Sequence, residues 1–167
     1  CIRAERAMMS ELRGAADLIL DTTDWSIHDI RSQIYREFGR EAGHEPVMNV
    51  SLVSFGYKHG IPFGADLLFD VRFLPNPHFD PELRPLSGLD EPVRQFLLQR
   101  TEFNELVARL ADLLRFLLPR YQQENRSYLT IGIGCTGGKH RSVACVEALA
   151  TALGEANWTV RVKHRDL

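Results

Sequence analysis

Apolar positions along this chain recur with two different periods, and the order of those periods outlines a fold. Residues Ile2 to Gly14 keep helical spacing, and Ala16 to Asp21 then reads as a short strand ending in the polar turn Thr22-Thr23-Asp24. Thr23 or Ser26 is placed to cap a further helix in which Ile27, Ile30, Ile34 and Phe38 repeat at helical intervals before Gly39. Periodicity fails from Arg40 to Pro46, which marks a boundary. Beyond it, Val47 to Phe55 alternates as a strand and runs into the basic, glycine-bounded turn Gly56 to Gly60. A second strand is expected over Leu67 to Val71. The following stretch, Arg72 to Pro81, holds three prolines, so it is a stiff loop rather than a helix or a central strand. Leu106, Leu110, Leu113, Leu114 and Leu117 mark the apolar stripe of a helix starting near Thr101 and stopping at Pro119. Tyr128 to Gly134 is an apolar strand, Val143 to Leu153 returns to helical spacing, and Trp158 to Lys163 alternates again. Strand, glycine loop, helix and strand in that order form a βαβ unit.

These elements predict an α/β fold: a three-layer domain with a central, mostly parallel sheet over residues 44–167, preceded by a helix-strand-helix piece over residues 1–43. A composition of 44% hydrophobic and 25% charged residues supports one core of this kind. No apolar run approaches the length that crosses a bilayer and no signal peptide is visible, so the expected location is the cytoplasm with no membrane partner. Three cysteines, Cys1, Cys135 and Cys145, make a disulfide framework an unlikely organiser and fit a reducing compartment. The opening on Cys1, directly in charged helical sequence, points to further sequence upstream.

A net charge of -2 excludes a uniformly cationic coat but conceals two basic clusters. The first lies in Cys135-Thr136-Gly137-Gly138-Lys139-His140-Arg141-Ser142, between a buried strand and a helix. Gly137 and Gly138 let backbone N–H groups converge, the helix start adds unpaired donors and partial positive charge, and Arg141 is suited to clamp two anionic oxygens. Thr136 and Ser142 add hydroxyls, and His140 donates in either protonation state. A solvated glycine turn is the bland reading of such a loop. The strand before, the helix after and three cations within place phosphate binding ahead of it. The Gly-Lys-Ser/Thr ending of a Walker A loop is absent.

A second reading of the same residues stays open. Cysteine, five residues, then arginine and serine resembles the phosphate loop of cysteine-dependent phosphatases. Cys135 would then be a thiolate nucleophile, Arg141 would bind phosphoryl oxygens, and Asp70 or Asp80 would protonate the leaving group. Gly134 stands where those enzymes commonly carry histidine, which ranks this reading second. Tyr57, Lys58 and His59, in the loop after the first long strand, would face the same pocket if the two strands neighbour each other, and His78 is held between Pro77 and Phe79 in the stiff loop. Arg84 is as readily a solvated charge. His59, His78 and His140 are too scattered to imply a metal, so none is expected. The second basic cluster, Arg161, Lys163, His164 and Arg165 at the end of the chain, is either an RNA-binding stripe, for which Lys163, His164 and Arg165 are the candidates, or a solvated edge. Trp25 and Trp158 fit core positions better than stacking platforms.

Three stretches together resemble the RapZ/YvcJ family: Ser54 to Pro62, Ala65 to His78, and Ile133 to Ser142. The resemblance covers the chain from about Met48 onward, and Ala16 to Ile34 is similar to the end of the family's amino-terminal ATPase domain, whose Walker A motif would lie upstream and bind ATP or GTP. It implies a regulatory, non-enzymatic carboxyl-terminal domain that senses a phosphorylated amino sugar, glucosamine-6-phosphate or UDP-N-acetylglucosamine. By that similarity His78, Cys135, Thr136, Gly137, His140 and Arg141 line the pocket, and no cofactor is expected in this portion. It further implies a homo-oligomer and, in some bacteria, an adapter that presents a small RNA to an RNase. On this reading, removing Arg141 is expected to cost roughly 2–5 kcal/mol of ligand binding and to leave the fold intact.

Overall fold

A computed structural model of the chain describes residues 8–25, 29–30, 33–34, 37, 48–124, 126–156 and 158–167. The chain divides into two compact units, Cys1–His44 and Glu45–Leu167.

In the first unit, helix α1 spans Ser10–Ala15, and the rest of the helix expected from Ile2 lies outside the described residues apart from Met8 and Met9. Residues 29–30, 33–34 and 37 are helical, so Ile30 and Ile34 fall on the expected second helix, while Ile27 and Phe38 are outside the described set. The strand expected over Ala16 to Asp21 is not formed. Residues 16–22 pair with no strand, and all but the half-buried Leu20 are exposed. A strand exists only through hydrogen bonds to a neighbouring edge, and none is offered among the described residues of this unit. The Asp21 carboxylate instead accepts from the Thr23 N–H at 3.1 Å and its hydroxyl at 2.5 Å, a local turn that competes with extended pairing.

The second unit is an α/β fold. Strands β1 (Asn49–Gly56), β2 (Leu67–Asp70), β3 (Tyr128–Cys135) and β4 (Val160–His164) form one sheet in the order β2-β3-β1-β4, with every pairing parallel. Parallel neighbours need long crossovers, which helices α2 (Glu91–Leu98), α3 (Thr101–Gln123) and α4 (Arg141–Gly154) supply. Val50, Leu52, Leu129, Ile131 and Ile133 are fully buried from β1 and β3, against Leu114 and Leu118 of α3 and Val146, Leu149 and Leu153 of α4. Each side chain buried this completely stabilises the fold by roughly 1.5–3 kcal/mol.

Three details depart from the sequence expectation. Helix α3 does not stop at Pro119 but continues to Gln123. Leu118 is fully buried and Tyr121 packs on the core, and this anchoring of the last turn outweighs the backbone bond that the proline removes. Its buried face is Phe103, Leu110, Ala111, Leu114 and Leu118, whereas Leu113 is 41% exposed and Leu106 and Leu117 are half-buried. Helix α2 had no counterpart in the periodicity analysis. Its signals are Asp90 at the N-cap, Pro92 in the first turn, and buried Val93 and Leu97 four residues apart.

Beyond β4, the Arg165 N–H still donates to the Ser54 carbonyl at 3.0 Å. Buried Ser54 and the Glu147 carboxylate hold the two ring nitrogens of His164, at 2.9 and 3.1 Å, tying edge strand β4 to β1 and α4.

Candidate functional site

Parallel pairing sends all four strands to the same edge of the sheet, so the loops leaving them meet there. Gly56 at the end of β1 is the register partner of Cys135 at the end of β3, and Asp70 at the end of β2 is the partner of Gly134. The loops after β1 and β3 are in direct contact. The Lys58 N–H donates to the Thr136 carbonyl at 3.2 Å, and a Cβ on Gly138 would lie 2.7 Å from the Gly56 nitrogen and 2.8 Å from the Asp166 Cβ. Gly138 also has φ +78, a conformation that side-chain-bearing residues rarely adopt. Two glycines are thus required where these backbones cross.

The stiff segment after β2 closes a third side. Asn76 caps a 3-10 turn, Pro77–Phe79, by accepting from the His78 N–H at 3.3 Å, and Arg84 Nε donates to the His78 carbonyl at 3.0 Å. Lys139 Nζ donates to the Pro85 and Arg84 carbonyls at 2.7 and 3.3 Å, and the Gly88 N–H donates to the Lys139 carbonyl at 2.9 Å. These contacts stitch residues 76–88 onto the loop between β3 and α4.

Between the loops lies a cleft of about 410 Å³, lined by Lys58, His59, Asn76, His78, Arg84, Cys135, Thr136, Gly137, Lys139, His140, Arg141 and Asp166. Seven of these residues are lysine, arginine or histidine and one is an acid, although the chain as a whole carries -2. A concave site of one sign concentrates field and favours an anion.

Arg141 and His140, at the start of α4, are 4% and 6% exposed. Arg141 Nη1 donates to the carbonyls of Arg72 at 2.6 Å and Leu74 at 3.0 Å, and Nη2 reaches the Thr136 hydroxyl at 3.3 Å. Its Nε, however, has no hydrogen-bond partner among the described residues. Leaving a buried polar group unpaired costs roughly 1–3 kcal/mol, so the unpaired Nε on a cleft-lining residue is consistent with a polar guest. Burial, then the neighbouring Lys139 charge, holds the His140 pKa below its ordinary value, against the carbonyls of Leu83, Leu86 and Arg84 that favour the charged ring.

Cys135 is 3% exposed, with its sulfur 3.2 Å from the Ser142 hydroxyl and accepting from the Gly138 N–H at 3.2 Å. Burial pushes its thiol pKa up, but the Ser142 hydroxyl and N–H, the Gly138 N–H and the Arg141 charge outweigh burial and bring it below the ordinary thiol value. Cys145, sealed in the core, is pushed strongly up by desolvation.

The structure brings Lys58, His78, Cys135, Thr136, Gly137, His140 and Arg141 to the cleft lining. Gly138 and Ser142 shape the loop from behind, through the sulfur of Cys135. Tyr57 packs its ring edge-on to Phe55, with centroids 4.9 Å apart, beneath the Arg72 guanidinium. Asp70 is paired with Arg72 at 2.6 Å and, like Asp80, is not among the lining residues. At the chain end, Lys163 is exposed on β4, His164 is held as above, and Arg165 pairs with Asp166 at 2.7 Å while donating to the carbonyls of Gly56 and Gly60 at 3.3 and 2.7 Å. Two of the three basic tail residues therefore brace the fold.

Asn76 and Asp166 line the cleft without having been singled out by sequence reasoning. Asn76 carried a local signal, as an N-cap before proline. Asp166 carried none, since it reaches the site only because β4 is parallel to β1, and its carboxylate accepts from the Gly56 N–H at 2.7 Å. No group of three or more histidine, cysteine, aspartate or glutamate side chains among the described residues is arranged to hold a metal ion, and no helix among them is long and apolar enough to cross a membrane.

Over 166 residues, 99% of its length, the chain is 48% identical to a protein named nucleotide-binding protein from Heliobacterium modesticaldum and 51% identical to one of the same name from Geobacter metallireducens. A third, from Nitratidesulfovibrio vulgaris, is 47% identical over the same span. The chain covers 55%, 58% and 57% of those relatives, respectively, and so spans little more than half their length. Residues 1–42 match the model of a RapZ-like N-terminal domain and residues 48–167 that of the RapZ C-terminal domain, so the chain belongs to the RapZ family.

Proposed function

We propose that residues 45–167 form a regulatory binding domain whose cleft takes a phosphorylated amino sugar, glucosamine-6-phosphate or UDP-N-acetylglucosamine, within a nucleotide-binding protein. The observation that carries this reading is the buried Arg141, whose Nε has no hydrogen-bond partner among the described residues, in a cleft lined by Lys58, His78, Lys139 and His140. The free edge of the Arg141 guanidinium, Nε together with the second N–H of Nη2, suits side-on contact with two oxygens of one phosphate. Asn76, Thr136 and Asp166 supply acceptors and donors for the hydroxyls of a sugar. Under this reading the domain binds without turnover. ATP or GTP belongs to sequence upstream of this chain, and the protein works in the cytoplasm as a homo-oligomer.

Titration calorimetry with both ligands tests it, with Lys58→Ala and His78→Ala as exposed lining variants that leave the fold alone. Saturable binding weakened by both variants supports the reading. Absence of heat with either ligand in a folded sample rejects it.

A phosphatase reading is favoured by one observation, the Cys135 sulfur lying against the Gly138 N–H and the Ser142 hydroxyl in a loop that ends in Arg141-Ser142. Its candidate acid, Asp70, is bound to Arg72 outside the cleft lining. Turnover of an aryl phosphate, abolished in Cys135→Ser, would establish it. Presentation of a small RNA to an RNase rests on the exposed Arg161 and Lys163 of the tail. Binding that falls steeply with salt is its signature.

A further inference from the structure

The chemistry of Cys135 goes beyond ligand binding. Its sulfur accepts from the Gly138 N–H and lies against the Ser142 hydroxyl, each at 3.2 Å. It stands at the start of the loop leading into α4, on the lining of a cleft that also carries the buried Arg141, whose Nε has no hydrogen-bond partner among the described residues. Hydrogen-bond donors and a fixed cation around a sulfur stabilise its anion, and the thiolate is the nucleophilic form. Cys145 is the internal contrast: it is fully buried in the hydrophobic core and is not among the cleft-lining residues.

We propose that Cys135 is a modification site, a thiolate at the floor of the anion cleft that hydroperoxides oxidise, and that oxidation and anion occupancy exclude each other. In the step, the thiolate sulfur attacks the terminal peroxide oxygen, an S–O bond forms as the O–O bond breaks, and the leaving alkoxide or hydroxide takes a proton from solvent. The products are a sulfenic acid and an alcohol or water, with sulfur oxidised and peroxide reduced. The new oxygen sits in the cradle that the bound anion needs. An anion already there blocks the peroxide and opposes the thiolate by like charge. The mutual exclusion rests on the anion-binding reading above, and the reactivity of the thiol does not.

The test uses hydrogen peroxide with a diketone trap for sulfenic acid, read peptide by peptide in the mass spectrometer, on the folded chain and on the chain unfolded in urea. The expected result is trapping at Cys135 at least tenfold faster in the folded chain than in urea, none at Cys145, and loss of most of that advantage in Ser142→Ala. Inorganic phosphate should slow the reaction in proportion to its occupancy of the cleft, measured separately by calorimetry. Trapping at Cys135 no faster than in the unfolded chain overturns the proposal. If phosphate binds by calorimetry yet leaves the rate unchanged, exclusion is wrong. If phosphate does not bind at all while Cys135 still reacts rapidly, the anion reading and the exclusion fall together and the reactive thiolate stands.

Discussion

The guanidinium of Arg141 donates to the backbone carbonyl of Leu74 at 3.0 Å, a contact between the start of α4 and the stiff segment after β2 that are 67 residues apart in the chain. A second donation, to Arg72, is made from the same nitrogen at 2.6 Å. Arg141 is therefore a strut as well as a cleft residue. Its removal is therefore expected to lower stability as well as affinity while leaving the fold in place, since the buried Leu74 carbonyl and the partly buried Arg72 carbonyl lose their donor.

Arg141→Ala should lower both stability and ligand affinity. Each carbonyl left unpaired in a buried position costs roughly 1–3 kcal/mol, so the urea midpoint should fall clearly while the transition stays cooperative. Arg141→Lys, which keeps the charge but lacks the fork, should fall between the two. An unchanged midpoint in Arg141→Ala would show that the strut carries no load.

His78→Ala separates binding from folding. His78 is exposed on its 3-10 turn, so stability should move by less than about 0.5 kcal/mol. Ligand affinity should fall about tenfold, equivalent to about 1.4 kcal/mol. Calorimetry beside a thermal melt distinguishes the two effects.

The adjacent glycines of the loop should respond in opposite ways. Gly137 has nothing within 4 Å of an added Cβ, whereas Gly138 has φ +78 and would meet backbone at 2.7 Å. Gly137→Ala should be tolerated in a urea melt, and Gly138→Ala should cost about 1–3 kcal/mol, with the Cys135 sulfur losing its Gly138 donor. Equal effects from the two substitutions would reject the crossing of backbones described here.

The histidine at the head of α4 couples binding to protons. The His140 pKa is held below its ordinary value by burial and by Lys139, so at neutral pH the ring is neutral. An anion bound in the cleft beside His140 favours the charged ring and raises that pKa, so binding takes up a proton and tightens as pH falls through the histidine range. Sulfate, which does not titrate there, is the suitable probe. Its binding heat should change with the ionisation enthalpy of the buffer, and His140→Gln should remove that dependence. Without ligand the sign is reversed. A depressed folded pKa means stability is lost as pH falls below the unfolded value of about 6.5, and His140→Gln should flatten that acid limb.

The local part of this architecture was legible in the residues. Strands β1, β3 and β4 follow from alternating or continuous apolar runs, and the anion loop from Gly137-Gly138 with Lys139, His140 and Arg141 before a helical stripe, because period and turn chemistry are properties of neighbouring residues. Where local and tertiary demands diverged, burial decided. Pro119 did not end α3, because Leu118 anchors the next turn in the core, and Ala16 to Asp21 did not become a strand, because pairing needs an edge.

By itself, then, the sequence determined an α/β chain with a cationic glycine loop between a buried strand and a helix. Only the tertiary structure decided what that loop faces. The β2-β3-β1-β4 order and its parallel register carry Lys58, His78 and Asp166 from three other strand ends to one cleft, divide Arg141 between strut and anion contact, and turn His164 and Arg165 into braces. The reason is physical: hydrogen-bond partners 67 to 110 residues apart are selected by sheet order and burial, which no local spacing encodes.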